Sequence, residues 1–389
     1  MTVEITNPYE NVDWDSVELR VFVPHMHSEP SASAANTEHH LALDNYIEND
    51  IDIDYDAVAF GPKDGESDDT DPFAYPWSTM GERTDFESRD PAELGCCDVP
   101  YVEATNHGDH MNCLWVEEKE PIGGSRSDVY ETYLSQSEEA MVWPAHTERY
   151  IDDRADAPSE YNDDYSHYGV EDVPAWPVSA KTPDHTFWDR DDTDFLWDAW
   201  DNLLQEFQPD RPIWGISEDD CSTDKSPSTW DGDEYEGDGF GLRFNLIPME
   251  PEDFDVENDL EGTRQRFRSK ILDGQLFPVR RDPWDEPAGE DPSDYPEITA
   301  VDVDGCTISI ETDGNVEWVS GTDNDGYRNV VETGDTIEVS EDHAPYVRAH
   351  VTTGNPEGES STQPFGVVPP EEPQKVHNAT IVSGSIGQS

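Results

Sequence analysis

The sequence predicts an α/β architecture with a mainly parallel sheet or barrel, followed by a small β-sandwich and an extended tail. Up to residue 285, short apolar runs alternate with helix-like stretches, which is typical of buried strands covered by helices. After residue 295 the pattern changes to alternating apolar and polar residues with Asp-Gly turns, as in antiparallel sheets. The predicted units are therefore residues 1–285, 286–366 and 367–389.

The strands predicted for the first unit are apolar runs separated by acidic segments: Leu19–Val23, Ala57–Phe60, Cys113–Val116, Met141–Trp143 and Pro212–Ile216. Two stretches, 37–49 and 194–207, predict helices. In the second of these, large apolar residues recur mostly at three- and four-residue spacing, from Phe195 to Phe207. That spacing places them on one face of an amphipathic helix.

The Pro- and acid-rich segment Asp282–Tyr295 predicts a linker. Five alternating runs after it predict the β-sandwich: Ile298–Val303, Thr307–Ile310, Val316–Val319, Thr336–Val339 and Tyr346–Ala349. The tail contains a proline spacer and then the strand-like Thr380–Val382. A lone strand cannot pair its own backbone groups, so we expect it to add to a sheet of a protein partner or second copy, or to its own β-sandwich.

Charge is the dominant compositional feature. Asp and Glu number 91 against 22 Lys and Arg, a formal net charge of -69. The acid is interleaved with 12 Trp, 15 Tyr and 13 Phe, which disordered acidic segments lack. Molar salt screens such self-repulsion, so we interpret the chain as a folded halophilic protein, from the cytoplasm of a haloarchaeon or from the virion of a haloarchaeal virus. Acidic mimicry of DNA is the alternative interpretation.

The same charge argues against binding nucleic acid or an anionic membrane, because both are repelled. The sequence has no run of 18 apolar residues and no basic, apolar N-terminal leader, so no membrane insertion or secretion is expected. The five cysteines lack C-x-x-C spacing. They are expected to be reduced, mostly buried thiols.

A candidate metal site begins at His25-Met26-His27, which follows the apolar run Val21–Pro24. Side chains alternate along a strand, so two histidines separated by one residue lie on the same side, about 7 Å apart. Two neutral imidazoles in that arrangement can bind one divalent metal ion.

Further candidate ligands stand at or near the ends of the other apolar runs. Glu103 ends the run Val99–Glu103, His110 precedes Cys113–Val116, and His146 follows Met141–Trp143. The carboxylates Glu218, Asp219 and Asp220 follow Pro212–Ile216. Ligands at the carboxyl ends of parallel strands meet at one mouth of a barrel, so we expect these side chains to converge.

These motifs resemble the polymerase and histidinol phosphatase (PHP) superfamily of metal-dependent phosphoesterases. His25-Met26-His27-Ser28 matches its H-x-H-[ST], Tyr101-Val102-Glu103 with His110 resembles its G-x-E segment and following strand, and Ala145-His146 resembles its A-H-P. The resemblance continues through 196–220 and 271–277 to Tyr346-Val347-Arg348-Ala349, covering about residues 15–365. It implies a PHP-type distorted β/α barrel in the first unit.

The resemblance also implies two divalent metal ions (Zn, Mn or Fe). One would be held by His25, His27, Glu103 and Asp220, and the other by Glu103, His110 and His146. The chain departs from the family at three histidines, which correspond to Lys63, about Ser33 and Ser222. In the family pattern all three serve one further metal, so the losses fall on a single site, although His39, His40 or His107 could supply replacements.

Two functions stay open from the sequence. In the first, Glu103 and Asp220 support hydrolysis of a small phosphorylated substrate, with Lys63, and Arg211 or Arg149, neutralising the phosphoryl group. In the second, the site is degenerate and the chain is a structural or attachment component of a haloarchaeal virus particle.

Overall fold

The computed structural model describes residues 3–27, 54–61, 77–82, 89–104, 110–116, 125–147, 151, 153–164, 168–180, 194–219, 243–281, 295–353 and 358–370. The predicted helix at 37–49 lies outside these residues. So do Lys63, Arg149, Asp220 and the tail from residue 371 onward.

The described part of the chain is rich in strands. The strands are β1 Glu4–Thr6, β2 Glu18–His27, β3 Ala57–Gly61, β4 Cys97–Val99, β5 Tyr101–Ala104, β6 Met111–Leu114, β7 Met141–Pro144, β8 Ala175–Ala180, β9 Trp214–Glu218, β10 Arg243–Met249, β11 Phe277–Arg281, β12 Ile298–Asp304, β13 Thr307–Thr312, β14 Asn315–Thr322, β15 Arg328–Thr333, β16 Thr336–Glu338, β17 Tyr346–Thr352, β18 Gly358–Ser361 and β19 Phe365–Val368. Within the described residues, each run predicted as a strand overlaps one of these strands, although Cys113–Val116 extends two residues beyond β6 and Pro212–Ile216 begins two residues before β9. The strand-like Thr380–Val382 lies outside the described residues.

Five α-helices lie in the same described residues: α1 Pro91–Leu94, α2 Arg126–Leu134, α3 Ala157–Asp164, α4 Phe195–Phe207 and α5 Leu260–Leu272. Helix α4 confirms the amphipathic helix predicted at 194–207. Its face with Trp197, Trp200 and Leu204 is fully buried, and the helix packs on β8 and β14. None of the described helices is both long and apolar enough to cross a membrane.

The strands form one large sheet and three small ones. The large sheet has eleven strands in the order β1-β19-β17-β18-β11-β10-β2-β3-β4, with β14 paired to β17 and β15 paired to β14. The small sheets are β12-β13-β16, β5-β6-β7 and β8-β9. The prediction of a mainly parallel sheet is wrong: only β2–β3, β3–β4 and β8–β9 are parallel among the described pairings. Parallel pairs need long crossovers, whereas links as short as that between β5 and β6 suit antiparallel neighbours.

The described strands do not close into a barrel, and the fold is a mixed α/β arrangement. Strand β9 nevertheless packs against β2 and β10, and β7 packs beside β8. Asn245 on β10 links these elements: its amide oxygen accepts from Ser217 N at 2.9 Å, and its amide nitrogen donates to the oxygens of Ser217 at 2.8 Å and Phe22 at 3.3 Å. This side chain therefore ties β9 to β10 and β2.

The region after residue 295 has the predicted alternating strands, joined by tight turns such as Asp304-Gly305, where Gly305 has φ +64°. Strands β12, β13 and β16 form their own sheet, but the others extend the large one. The pairing of Val279 with Ser360 joins β11 to β18 and so makes one hydrogen-bonded sheet from both predicted units. Val367, which the prediction assigns to the tail, is a buried residue of β19 paired with Ile5.

The apolar side chains form two clusters. One includes residues of α4 and of the β5-β6-β7 sheet, among them the fully buried Trp143, Trp176 and Trp200. The other lies between the large sheet and the β12-β13-β16 sheet. Of the cysteines in the described residues, Cys96, Cys97 and Cys113 are buried and Cys306 is partly buried.

Candidate metal centre

Four of the predicted site residues lie together where separate strands end. His25 is in the last part of β2, Glu103 is in β5, His110 immediately precedes β6, and His146 follows β7. The antiparallel β5-β6-β7 sheet sets three of these positions. The backbone N–H of Ala145 donates to the oxygen of His110 at 2.9 Å, which holds the segment after β7 beside the start of β6.

Three donor atoms of this group form a small triangle. Nδ1 of His110 lies 2.7 Å from Oε1 of Glu103, Nε2 of His146 lies 3.0 Å from the same oxygen, and the two nitrogens are 3.0 Å apart. The side chains of Glu103 and His146 are fully buried, while that of His110 is 20% exposed. The site is thus a buried carboxylate with two imidazoles aimed at one oxygen atom.

Protons alone do not satisfy this triangle. An imidazole nitrogen carries at most one hydrogen and an ionised carboxylate carries none, so two hydrogens at most are available for three short contacts. If both nitrogens are protonated and donate to the carboxylate, the 3.0 Å contact between the nitrogens has no acceptor; if only one is protonated, the lone pair of the other faces the carboxylate oxygen. A cation bound to all three atoms removes this conflict.

The donor set fits a divalent transition metal. Imidazole nitrogen and carboxylate oxygen are common ligands of Zn²⁺, with bond lengths of about 2.0–2.2 Å. A triangle with sides of 2.7–3.0 Å is small enough for one ion to reach all three atoms at such lengths. Glu103, His110 and His146 are accordingly a group that could hold a metal ion.

His25 lies beside this triangle and is also fully buried. Its Nε2 atom is 3.7 Å from Oε1 of Glu103, and its Nδ1 atom is 3.0 Å from Oε2 of Glu218. The ring is therefore placed between two carboxylates, with one nitrogen facing the triangle.

Glu218, the last residue of β9, is a buried part of the site. Besides contacting His25, it accepts the backbone N–H of His146 at 2.6 Å through Oε1 and a hydrogen bond from Asn112 through Oε2. His146 has φ +33°, a left-handed conformation that is unfavourable for a residue with a Cβ atom. The hydrogen bond that the backbone N–H of His146 donates to Glu218 helps to hold His146 in this conformation.

Some of the predicted site residues lie outside the described residues, and others have different partners. His27 ends β2, but its side chain lies outside the described residues, as do Lys63 and Asp220. Asp219 is buried and accepts the backbone N–H of Arg243 at 3.3 Å. Arg211, considered as a phosphate-neutralising residue, donates instead to the hydroxyl of Tyr161 and the backbone oxygen of Tyr168.

Glu218 belongs to the run of three carboxylates expected to converge on the site, but the resemblance assigns metal binding to Asp220 of that run. The sequence does not predict the supporting position of Glu218, nor any role for Asn112. Asn112 gave no signal, since it stands between Met111 and Cys113 in a short apolar strand.

Comparison of this chain with protein-family models, curated proteins and solved structures finds no match.

Proposed function

We propose that this protein is a divalent-metal-dependent hydrolase of small phosphate esters, of the polymerase and histidinol phosphatase type. The observation that carries the proposal is the buried triangle of Glu103, His110 and His146, whose three donor atoms suit one divalent cation better than any arrangement of protons.

Glu103, His110 and His146 would hold the first ion. His25, whose Nε2 atom lies 3.7 Å from Oε1 of Glu103, would contribute to a second ion, for which the sequence resemblance also nominates His27 and Asp220. When bound, such ions lower the pKa of a coordinated water to near neutrality and neutralise phosphoryl oxygens. In this proposal Glu103 would serve both ions.

Phosphate esters are proposed as substrates because the strand-end pattern of His25, His27, Glu103, His110 and His146 resembles that superfamily. A protein with a net charge of -69 repels a phosphorylated molecule, so local positive charge is needed at the site. Metal ions and the ammonium of Lys63 would supply it.

The test is turnover of a chromogenic phosphomonoester in about 3 M KCl, where charge is strongly screened, with Mn²⁺, Zn²⁺ or Fe²⁺ supplied in turn. Glu103→Gln should lower turnover by more than about 100-fold, since even outer partners of metal ligands matter 10–100-fold. Glu131→Gln, which removes the same charge from an exposed position on α2, should leave turnover unchanged. Lys63→Ala should weaken turnover less than Glu103→Gln.

The departures at Lys63 and Ser222 favour a second candidate, a degenerate protein that keeps the architecture as a structural or attachment component of a haloviral particle. Wild-type protein that binds metal but turns over no phosphomonoester with any of the three metals would support this candidate and contradict the enzyme proposal for that substrate class.

A further inference from the structure

We propose that Glu218 is the positioning residue of the metal centre, fixing the tautomer of His25 and the backbone of His146 through one carboxylate. Only the expected effect of Glu218 on metal affinity rests on the proposed function; its effect on the tautomer of His25 does not.

Both oxygens of Glu218 receive hydrogen bonds from separate elements of the fold. Oε1 accepts from the backbone N–H of His146 at 2.6 Å, and Oε2 accepts from the side-chain amide of Asn112. A backbone N–H and a side-chain NH₂ can only donate, so these contacts fix the carboxylate as the acceptor. The side chain is fully buried, which makes each of these bonds expensive to break.

The third contact is with His25, whose Nδ1 atom lies 3.0 Å from Oε2. Because both oxygens of Glu218 already accept hydrogen bonds, we assign Nδ1 as the donor of this contact too. A neutral imidazole with its proton on Nδ1 has its lone pair on Nε2. That nitrogen is the one 3.7 Å from Oε1 of Glu103. Glu218 therefore presents the metal-binding nitrogen of His25 to the centre.

The partner of Glu218 on β6 is itself oriented. The hydroxyl of Tyr101 donates to Oδ1 of Asn112 at 2.9 Å, which turns the amide nitrogen of Asn112 toward Glu218. Asn112 is paired with Glu103 across β5 and β6. One carboxylate on β9 thus connects β2, which carries His25, with β6, which follows His110, and with the segment after β7, which carries His146.

The experiment has a metal-free arm and a metal arm. Nitrogen-15 spectra of the metal-free protein at about pH 8, where an ordinary imidazole is neutral, report the tautomer of each histidine. We expect His25 to be wholly the Nδ1–H form in the wild type and a mixture in Glu218→Gln, whose amide cannot accept from all three donors. Zn²⁺ affinity, measured by competition with a chromophoric chelator, should fall about 10–100-fold in Glu218→Gln.

Tyr101→Phe is the matched control, because it removes only the hydrogen bond from Tyr101 to Asn112 and leaves the carboxylate of Glu218 intact. In this variant we expect His25 to keep the Nδ1–H tautomer and the Zn²⁺ affinity to fall less than in Glu218→Gln. A wild-type His25 in the Nε2–H form would overturn the proposal even if Glu218→Gln did not fold. So would a folded Glu218→Gln with an unchanged tautomer and an unchanged Kd for Zn²⁺. If the wild type bound no Zn²⁺, the proposed function would fail, while the metal-free spectra would still decide the role of Glu218.

Discussion

His146 and Glu103 are 43 positions apart in the chain, yet the Nε2 atom of His146 lies 3.0 Å from Oε1 of Glu103. The antiparallel pairing of β5 with β6 and of β6 with β7 produces this contact, because it carries the chain back to the same edge of the sheet. The backbone N–H of His146 donates to Oε1 of Glu218, which helps to hold the backbone of His146 in place. Sheet register therefore brings the segments that carry His110 and His146 to Glu103.

Breaking the buried ion pair between Arg348 and Asp201 should strongly destabilise the protein. Both side chains are 0% exposed, and Nε of Arg348 lies 2.8 Å from Oδ1 of Asp201. Arg348→Met should lower the free energy of unfolding by about 3–5 kcal/mol, because it leaves a buried carboxylate without its cation. Urea unfolding at a fixed high salt concentration measures this change.

Arg266→Met provides the matched comparison for that experiment. Arg266 pairs with Asp259 at 2.7 Å, but the two side chains are 31% and 50% exposed. An exposed pair contributes about 0–1 kcal/mol, so the change should be small. Equal losses in the two variants would refute the distinction between the buried and the exposed pair.

His350 should make the protein less stable as the pH falls below 6.5. Burial, and then the charges of Arg328, Arg348 and Arg280, lower the pKa of His350 well below its ordinary value of 6.5. Because the folded-state pKa is lowered, the unfolded chain binds a proton at this histidine at higher pH than the folded chain does. The stability that neutral His350 contributes is therefore complete above pH 6.5 and is lost as the pH falls toward the folded-state pKa.

Below pH 6.5 the free energy of unfolding of the wild type should therefore decline relative to that of the His350→Gln variant, by up to about 1.4 kcal/mol for each pH unit. Burial also raises the pKa of Glu359, whose Oε1 lies 3.9 Å from Nε2 of His350, but Glu359 is present in both proteins. Unfolding curves that keep a constant difference between pH 8 and pH 5.5 would contradict the prediction.

Salt should stabilise the folded state strongly. A net charge of -69 creates repulsion that ions screen, with a Debye length near 10 Å at 0.1 M and near 3 Å at 1 M. We expect Tm to rise by on the order of 10 °C or more between about 0.2 M and 3 M KCl, followed by circular dichroism. Sucrose, which is uncharged, should not reproduce the full rise. A Tm independent of KCl would remove the halophilic interpretation.

Local patterns were enough to predict elements but not their pairing. Helix α4 is predictable because its 3.6-residue periodicity is contained within thirteen residues. The direction of β5, β6 and β7 is not, because apolar runs of four residues look the same in parallel and antiparallel sheets. The pairing of β11 with β18 joins Val279 to Ser360 and is equally invisible in a local window.

In the candidate site, too, some features follow from local sequence patterns and others do not. His25, Glu103, His110 and His146 are near the ends of apolar runs, so their convergence follows from strands that end at one edge. Glu218 could not be separated from Asp219 and Asp220 by pattern, because side-chain direction at a strand end decides which carboxylate enters the site. Asn245 holds the backbone of the preceding residue, Ser217, against β10.

Metal binding by Glu103, His110 and His146 is tested most directly by anomalous diffraction from crystals grown with Zn²⁺. The expected result is one strong peak about 2.0–2.2 Å from Oε1 of Glu103, Nδ1 of His110 and Nε2 of His146. Glu103→Gln crystals should lose that peak under the same conditions. A wild-type crystal with no peak at these three atoms, or with Zn²⁺ bound only elsewhere, would contradict the assignment of this cluster as a metal centre.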